Sequence, residues 1–295
     1  MASAFAPAKV NLFLHVGAPT ADGYHPICSL MAFADVGDVI STFEAEALAL
    51  HVHGPFGRGL TDNDDNLVLR AGRALIAEAR RPVAPVGLSL EKRLPVAAGL
   101  GGGSSDAGAA LRLLRKVCDL KLDDDRLQAI AASLGADGAA CLWGRPTFAE
   151  GRGEHLGPAP SMPTIDAVLV NPGVPVATAQ VYARFDADGR FGDVSEPAAP
   201  DAFEDARDLA AWLGGRRNDL EAAAIAVAPE VGAVLETLAD EPESLLARVS
   251  GSGGTCFALC DSDIAAEGLA ERIEALAPAW WVQRCRLGGP WPDPS

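Results

Sequence analysis

The stretch LPVAAGLGGGSSDAGAALRLL, from Leu94 to Leu114, places a cluster of glycines directly before a helical pattern. Glycines stand at positions 99, 101 to 103 and 108. Because a glycine inside regular structure costs stability, so many together indicate a backbone that approaches another group very closely. A glycine-rich loop that leads into a helix is typical of an anion site, because its backbone N–H groups and the helix dipole both favour negative charge.

The helical pattern after the glycines consists of apolar residues at the spacing of one helix face, from Ala107 to Cys118. We expect Ser104, Ser105 and Asp106 to cap the start of this helix, because such side chains accept hydrogen bonds from the free backbone N–H groups of a first turn. The sequence therefore predicts a loop followed by a long amphipathic helix.

The spacing of the glycines excludes the two most familiar phosphate loops. A Walker A loop requires a lysine after its last glycine, and this stretch has none. A dinucleotide-binding or protein-kinase loop with the pattern GxGxxG requires glycine where Ser104 stands. The stretch therefore predicts a phosphate loop of another kind. A flexible loop before a capped helix is the alternative when the loop is considered alone.

The composition excludes several classes of function. The chain has 295 residues and a formal net charge of −16, which disfavours binding to nucleic acid or to anionic membranes. Any phosphate must therefore be bound by local donors. None of the six cysteines forms a CxxC pair, no apolar run reaches membrane-spanning length, and no basic leader precedes an apolar core. We expect a cytoplasmic protein with reduced thiols and with neither a nucleic-acid nor a membrane partner.

The remaining patterns predict strands and helices without a regular alternation, which favours an α+β fold. Helices are predicted over residues 66–79 and 124–134, and further helices alternate with the strands of the second half. Strands are predicted over residues 9–16, 27–33, 38–43, 48–53, 86–90, 165–171, 255–259 and 280–286.

Two segments are predicted as connections. Residues 155–163, with the sequence HLGPAPSMP, are rich in proline and are predicted as a domain junction. Residues 186–205 are acidic and rich in small side chains, and we expect them to form a mobile loop.

Three segments resemble the signature motifs of the GHMP kinases, a family of small-molecule kinases that includes galactokinase, homoserine kinase and mevalonate kinase. They are PAKVNLFLHV from Pro7, PVAAGLGGGSSDAGAAL from Pro95 and VSGSGGTCFAL from Val249. The resemblance implies an α+β fold with an N-terminal domain like ribosomal protein S5 domain 2 and a ferredoxin-like C-terminal domain. We place these domains at residues 1–160 and 161–295, with the last strand as a candidate to return to the first domain.

Further motifs narrow the resemblance to one branch of this family. ADGYHPICSL from Ala21, LGAD from Leu134 and FAEGRGE from Phe148 accompany the three signature segments. They resemble the branch that acts on a cytidine-diphosphate-linked methylerythritol in the non-mevalonate route to isoprenoids. The resemblance implies transfer of the γ-phosphoryl group of ATP to the 2-hydroxyl of that small molecule, with Mg²⁺ accompanying ATP. A monomer and a homodimer are both compatible with it.

The resemblance implies two catalytic residues. Asp137 matches the aspartate that accepts the proton of the attacking hydroxyl. Lys9 matches the lysine beside it, which holds the carboxylate ionised and offsets charge in the transition state. Taken alone, Asp137 is also typical of a turn after a helix, and Lys9 of a strand residue whose ammonium reaches water.

The resemblance also implies an ATP site around the glycine loop. Asn66 matches an adenine-side contact, although by itself it is typical of an N-cap residue. The magnesium ligands stay unassigned, with Ser105 and Asp137 as candidates. The residues that match ATP-binding positions are Asn66, Pro95, Gly99, Leu100, Gly101, Gly102, Gly103, Ser104 and Ser105.

Five residues match substrate-binding positions of the family. Asn11 matches a contact near the reacting hydroxyl, and Thr178 matches a donor near the base. Tyr24 and Tyr182 are the two tyrosines of the chain. We expect them to enclose the cytosine ring from both faces, with His25 forming hydrogen bonds to its edge. Considered alone, a tyrosine in a turn more often packs against the core.

Two positions depart from the family pattern. After LGAD the family commonly has Val-Pro-Phe, whereas this chain has Gly138, Ala139 and Ala140, from which we expect a looser pocket beside Asp137. Gly254 stands where the third signature segment usually has alanine.

Two other functions compete with this interpretation. Another GHMP kinase, such as a homoserine or mevalonate kinase, would have no base to stack, so Tyr24, His25 and Tyr182 argue against it. A non-catalytic ligand sensor on the same fold would lack catalytic groups, so Lys9 and Asp137 argue against that function.

Overall fold

The fold is built around two long antiparallel strands, β1 (Ser3–Val16) and β2 (Ile27–Phe43). The structure is a computed structural model that describes residues 2–60, 65–79 and 81–294. Most residues of both strands are buried, because apolar side chains cover both of their faces.

The prediction of separate strands over residues 27–33 and 38–43 is wrong, because β2 is continuous. Its partner β1 begins at Ser3, six residues before the predicted start, and pairs with both parts of β2. An irregularity in the register between Pro7 and Lys9 lets the pairing continue across the intervening residues. The run of apolar residues in the sequence is interrupted there by Asp35 and Gly37, and for this reason the sequence predicts two shorter strands.

The other elements of the N-terminal half pack on this pair of strands. β3 (Ala49–His53) and β4 (Gly87–Glu91) are parallel to each other and extend the sheet from the second half of β2. The hairpin of β5 (Thr147–Gly151) and β6 (His155–Pro158) pairs with the first half of β2. The helices that share a core with these strands are α1 (Leu67–Ala77), α2 (Gly102–Val117), α3 (Asp124–Leu134) and α4 (Gly138–Trp143).

The C-terminal half has the strand order β10-β7-β9-β8, with every neighbouring pair antiparallel. This order is that of a ferredoxin-like βαββαβ unit, which confirms the predicted α+β class. Its strands are β7 (Ile165–Asn171), β8 (Leu246–Val249), β9 (Cys256–Leu259) and β10 (Trp281–Gly288). Its helices are α5 (Thr178–Asp188), α6 (Ala206–Gly214), α7 (Glu221–Val227), α8 (Pro229–Ala239) and α9 (Asp263–Leu276).

The last strand joins the two halves. Leu287 and Gly288 of β10 pair with Ala34 and Phe33 of β2, so the described residues form one ten-stranded sheet. β10 therefore connects the strands of the second half with those of the first half. The domain boundary at residue 160 stays a prediction.

The start of α2 differs from the prediction. The helix begins at Gly102, its N-cap is Gly101, and Ser104, Ser105 and Asp106 lie inside its first turns. Gly101 has φ of 62°, a left-handed conformation that glycine adopts without the cost of a Cβ atom. The chain therefore enters the helix earlier than capping propensity alone indicates.

Both predicted connections contain regular structure. Residues 155–158, expected to be part of a domain junction, form β6, and residues 186–188, expected to open a loop, end α5. The rest of the acidic segment is attached to the protein: Phe203 is buried, and Trp212 donates from its indole to the carbonyl of Ala198 at 3.0 Å. Its mobility stays a prediction.

Both departures from the family pattern have a steric reason. A Cβ atom at Gly138 would overlap the carbonyl oxygen of Ala131, because α4 lies very close to α3. Gly254 has φ of 94°, and a Cβ atom there would lie 2.9 Å from the Cα atom of Ala98. The small side chains of α4 are thus matched to a close approach between two helices.

Replacing Gly138 by alanine is expected to lower the free energy of unfolding by about 1–3 kcal/mol, because α4 must move away from Ala131. Gly268 of α9 is the matched control, because a Cβ atom there meets no atom within 4 Å. Gly268→Ala is expected to raise the free energy of unfolding by about 0.5–1 kcal/mol, the usual gain in a helix interior. Urea unfolding measures both, and equal effects would contradict the close approach.

Candidate active site

The structure brings Lys9 of β1 and Asp137 together. The ammonium of Lys9 lies 3.2 Å from a carboxylate oxygen of Asp137. The Lys9 side chain is 5% exposed and that of Asp137 30% exposed, so the pair reaches the protein surface through Asp137. Asp137 is the N-cap residue of α4, but its side chain makes no capping hydrogen bond. Its carboxylate is therefore held by Lys9 rather than by the helix that it precedes.

The amide of Asn11 fixes the position of Lys9. Its Oδ1 accepts a hydrogen bond from the Lys9 ammonium at 2.6 Å, and its Nδ2 donates to the Ser29 hydroxyl at 2.8 Å. Asn11 is buried, and both ends of its amide have partners in the protein. The structure thus gives Asn11 a supporting position beside Lys9, and the predicted contact to substrate stays a prediction.

The glycine loop is hydrogen-bonded to both the first and the third signature segments. The backbone N–H of Lys9 donates to the carbonyl of Leu100 at 2.8 Å. The Ser250 hydroxyl accepts from the backbone of Asn11 at 3.2 Å and donates to the carbonyl of Gly99 at 3.0 Å. Leu100 is buried in the core, so it contributes shape from beneath rather than an exposed side chain. The sequence indicated only close backbone approach here, and the structure shows that Ser250 links both elements.

A cavity of about 280 Å³ lies between the start of α1, the end of β4 and the start of α2. Asn66 borders it and caps α1, accepting a hydrogen bond from the backbone of Val68 at 2.9 Å. The capping interpretation of Asn66 is thereby confirmed. Of the predicted ATP-binding residues, the cavity is lined by Asn66, Pro95, Gly102 and Gly103.

The two serines of the loop have different surroundings. Ser104 is half-buried on the first turn of α2. Ser105 is fully buried, and its hydroxyl has no hydrogen-bond partner among the described residues. A buried hydroxyl without a hydrogen-bond partner is rare in folded proteins, which singles out Ser105 within the first turn of this helix.

A buried charge cluster beneath the cavity was not predicted. The ammonium of Lys92 lies 2.5 Å from Asp38 and 2.8 Å from Asp106, and all three side chains are buried. The other oxygen of Asp38 accepts from the backbone of Arg93 at 2.6 Å and of Leu94 at 2.9 Å. The available signal was that Lys92, one of only four lysines in the chain, directly precedes the glycine stretch.

The cluster shifts the pKa values of its members. Burial alone would lower the pKa of Lys92, but Asp106 and Asp38 together raise it above its ordinary value. Burial raises the pKa of Asp106 far above its ordinary range, and the nearby charge of Lys92 only partly opposes this. Asp106 lies in α2, so the cluster ties the glycine-rich helix start to β2 and to the end of β4.

His25 and Tyr182, predicted as substrate residues in different halves, lie together. Their ring centroids are 5.2 Å apart. One ring nitrogen of His25 lies 2.7 Å from the carbonyl of Gly17, and the other lies 3.1 Å from Asp186. Burial raises the pKa of Tyr182 to about 12. The structure therefore forms one aromatic surface from the loop after β1 and from α5.

Tyr24 and Thr178 border this surface without belonging to the same cluster. The Tyr24 side chain is 56% exposed, and the guanidinium of Arg152 lies 4.0 Å from its ring centre. Thr178 opens α5, and its hydroxyl lies 2.9 Å from that of Ser252 in the third signature segment. The rings of Tyr24 and Tyr182 are not in contact among the described residues, so their enclosure of a base stays a prediction.

The arrangement as a whole suits phosphoryl transfer. The Asp137 carboxylate is paired with the buried Lys9 ammonium, next to the glycine-rich start of α2, whose backbone N–H groups are suited to phosphates. The aromatic surface of His25 and Tyr182 is a second element of the candidate site. Positioning and charge stabilisation are the main requirements of phosphoryl transfer, and this geometry supplies both.

Comparison with family models defines the class of protein. The model described as GHMP kinases N terminal domain matches residues 66–145, and the one described as GHMP kinases C terminal matches residues 198–279. The chain belongs to the GHMP kinase family, and the expected GHMP kinase fold is confirmed.

Similar proteins narrow the class. A protein of Caulobacter vibrioides (strain NA1000 / CB15N) named 4-diphosphocytidyl-2-C-methyl-D-erythritol kinase is 60% identical over 286 residues, which cover 97% of this chain and 99% of that protein. A protein of the same name from Hyphomonas neptunium is 49% identical, over 97% of this chain and 96% of its own. The narrower resemblance is thereby confirmed, and the chain is a kinase.

Solved structures agree with this assignment. The crystal structure of a 4-(cytidine 5′-diphospho)-2C-methyl-D-erythritol kinase matches with a TM-score of 0.75 at 32% identity, covering 98% of this chain and 100% of that one. A homoserine kinase from Cytophaga hutchinsonii, with a TM-score of 0.67 at 18% identity, covers 96% of this chain and 94% of its own and shares the fold alone.

Proposed function

We propose that this chain catalyses the ATP-dependent phosphorylation of the 2-hydroxyl of 4-diphosphocytidyl-2-C-methyl-D-erythritol, giving the 2-phosphate and ADP. The reaction belongs to the non-mevalonate route to isoprenoid precursors. The names of the similar proteins support this substrate. The observation that carries the proposal is the Lys9–Asp137 pair at 3.2 Å, placed beside the glycine-rich start of α2.

In the proposed reaction, Asp137 accepts the proton of the attacking hydroxyl. Lys9 keeps this carboxylate ionised and offsets negative charge that develops on the transferred group. Asn11 holds the Lys9 ammonium in place by the 2.6 Å hydrogen bond. The backbone N–H groups at the start of α2 and the hydroxyl of Ser104 bind the phosphates of ATP.

The adenine end of ATP is proposed to enter the cavity bordered by Asn66 and Pro95. Its volume of about 280 Å³ suits a planar base, and its floor contains Gly102 and Gly103, which lead directly to the phosphate site. Gly99 and Gly101 shape the loop that approaches this floor, and their role in ATP binding rests on the resemblance.

Magnesium is proposed to accompany ATP. No group of three metal-ligating side chains occurs within the described parts of the chain. The residues present nevertheless fit Mg²⁺, because this ion keeps several water ligands and is coordinated mainly by the phosphates of the substrate. The Ser105 hydroxyl, which lacks a partner, and the Asp137 carboxylate are the protein oxygens that would complete its coordination. The ion would neutralise charge on the phosphates during transfer.

The cytosine end of the substrate is proposed to lie on the aromatic surface of His25 and Tyr182. The Thr178 hydroxyl suits recognition of the base by a hydrogen bond, with Tyr24 covering its second face. Both ring nitrogens of His25 have partners in the protein, so its predicted hydrogen bond to the base requires the Nε2 atom to exchange Asp186, 3.1 Å away, for the base. An aromatic ring on each face of a base stabilises binding by about 1–3 kcal/mol per stacked base.

Replacing either Tyr24 or Tyr182 by alanine is expected to raise the KM for the cytidyl substrate about tenfold or more, because a stacking surface is lost. The KM for ATP is expected to stay unchanged, because neither ring lies near the adenine cavity. Initial-rate measurements with each substrate varied in turn test this. Tyr→Phe at the same positions is the matched control, since it keeps the ring. Unchanged KM values in both alanine variants would contradict the enclosure.

The proposed substrate is tested by ADP release in a coupled assay with ATP and Mg²⁺. Turnover with the cytidyl substrate, and none with homoserine or mevalonate, is the expected result. Turnover with another alcohol would keep the kinase assignment and discard the cytosine site. Absence of turnover with every alcohol would favour the non-catalytic sensor.

The proposal includes a cytoplasmic location. All six cysteines are free thiols, which suits a reducing compartment. No helix in the described ranges 2–60, 65–79 and 81–294 is long and apolar enough to cross a membrane. A small molecule is the proposed partner, with neither nucleic acid nor membrane involved. A monomer and a homodimer both remain compatible with the structure.

A further inference from the structure

We infer that residues 289–293, which we call the C-terminal strap, set the position of Asp137 by packing against α4. Trp291 is the central positioning residue of this strap. The inference rests on the proposed role of Asp137 and adds to it a part of the chain that lies outside all the signature segments.

The strap is fixed to the first half of the sheet. After β10 ends, the chain folds back, and the indole N–H of Trp291 donates to the carbonyl of Phe33 at 2.8 Å. The Asp293 carboxylate accepts from the backbone of Phe5 at 3.0 Å, and the carbonyl of Pro294 accepts from Ser3 at 2.9 Å. These bonds join residues that are more than 250 positions apart, so the strap is part of the tertiary fold.

The strap also contacts α4 directly. The Trp291 ring packs against a small apolar cluster that contains Ala140 and Cys141 of α4. Gly289 lies so close to the end of α4 that a Cβ atom there would overlap the carbonyl oxygen of Gly144. Burial raises the pKa of the Cys141 thiol to about 12, so this side chain acts as an apolar packing group. The indole therefore packs against a cluster in which the small side chains of α4 join Met31 and Phe33 of β2 and Ala149 of β5.

This arrangement explains how a short helix of small residues is held. Gly138, Ala139 and Ala140 supply little packing surface of their own, in contrast to the bulky residues that the family pattern has at these positions. Arg112 of α2 donates to the carbonyls of Leu142 at 2.6 Å and of Phe5 at 2.7 Å, which ties α4 to β1, and its guanidinium also lies 3.9 Å from the carboxylate of Asp293 in the strap. Leu142 and Trp143 pack into the core that α4 shares with α2 and α3, and the strap adds a further contact at the end of the helix.

The position of α4 determines the position of the proposed base. Asp137 precedes the helix, and its side chain is not fixed by a capping bond. Its carbonyl accepts from the backbone of Cys141 at 2.9 Å, and the Cys141 sulfur lies 3.9 Å from the carbonyl of Gly101, the N-cap of α2. A shift of α4 would therefore move the carboxylate relative to both Lys9 and the phosphate loop. Misplacement of a reacting group by about 1 Å costs about 10²-fold in rate.

The test compares Trp291→Ala with the wild-type enzyme. We expect kcat to fall by about tenfold or more, with the KM values for ATP and the cytidyl substrate changed by less than about twofold, because positioning rather than binding is lost. Trp280→Ala is the matched control, because Trp280 is also partly buried but packs against the core of the C-terminal half. It is expected to leave kcat unchanged.

Rescue distinguishes positioning from general packing. Trp291→Phe is expected to retain most of kcat, because it keeps a ring against the cluster that contains Ala140 and Cys141 of α4. Ala140→Leu in the Trp291→Ala background is expected to recover part of kcat by filling the vacated space from the helix side. A fall in kcat that merely follows the folded fraction, or no fall at all, would overturn the inference.

A measurement without substrate separates this inference from the proposed function. Amide hydrogen exchange is expected to accelerate in residues 138–143 of Trp291→Ala while α9 stays unchanged. This result does not depend on which alcohol the enzyme phosphorylates. Unchanged exchange in α4 would overturn the inference even if the wild-type enzyme is active, and an inactive wild-type enzyme would contradict the proposed function alone.

Discussion

Asp137→Asn is expected to lower kcat by about 10²- to 10⁴-fold, the range over which a positioned general base contributes to rate. Asparagine keeps the shape of the side chain but cannot accept the proton of the attacking hydroxyl. The ion pair with Lys9 at 3.2 Å would also be lost, because asparagine is neutral, so stabilisation of the transition state falls as well. Because Asp137 is 30% exposed, the variant is expected to fold normally.

Steady-state kinetics of ADP release measure this effect, with urea unfolding of the same sample as a check on folding. Asp124→Asn is the matched control, since Asp124 also stands at a helix start, is exposed, and pairs at 2.6 Å with Arg115 in the last turn of α2, at the opposite end of that helix from the glycine loop. It is expected to keep the wild-type kcat. If Asp137→Asn retained more than about a tenth of kcat, Asp137 would not be the base.

The largest loss of stability is expected from Lys92→Met, at about 3–5 kcal/mol in the free energy of unfolding. The reason is the removal of the single ammonium between Asp38 and Asp106, which leaves two acidic groups buried without the positive charge that they share. Urea unfolding at neutral pH without nucleotide measures it, because Lys92 also borders the adenine cavity.

Lys121→Met is the control for this variant. Lys121 is 84% exposed and pairs with Asp119 at 2.5 Å, so its loss is expected to change stability by less than about 1 kcal/mol. The deficit of Lys92→Met is expected to shrink as the pH is lowered, because protonation removes the uncompensated charge of the carboxylates. A loss below about 1 kcal/mol at neutral pH would contradict the structural role of the cluster.

Local sequence signals were sufficient for much of the site. The N-cap alternative for Asn66 is confirmed, because this function depends on the residue itself and the helix that follows it, while its predicted contact with ATP stays a prediction. The ordered motifs were sufficient to pair Lys9 with Asp137 although 128 positions separate them, because the resemblance supplies the three-dimensional relation that the residues alone do not.

Features that depend on distant contacts were not predictable in this way. The Lys92 cluster combines residues from β2, the end of β4 and α2, and no local sequence pattern indicates which of these residues contact one another. The early start of α2 depends on a left-handed Gly101, whereas propensity favoured the serines as caps. The continuity of β2 depends on the length of its partner strand.

The pairing of β10 with β2 has a consequence for synthesis of the protein. β10 and the strap behind it are made after all the other described strands and helices, yet β10 joins the two halves of the sheet and the strap is bonded to β2. A nascent chain that has emerged as far as α9 already contains every residue proposed to take part in catalysis. It still lacks the strap that we infer positions α4. An interrupted chain would therefore contain all the proposed catalytic residues without the contacts that fix their positions relative to one another.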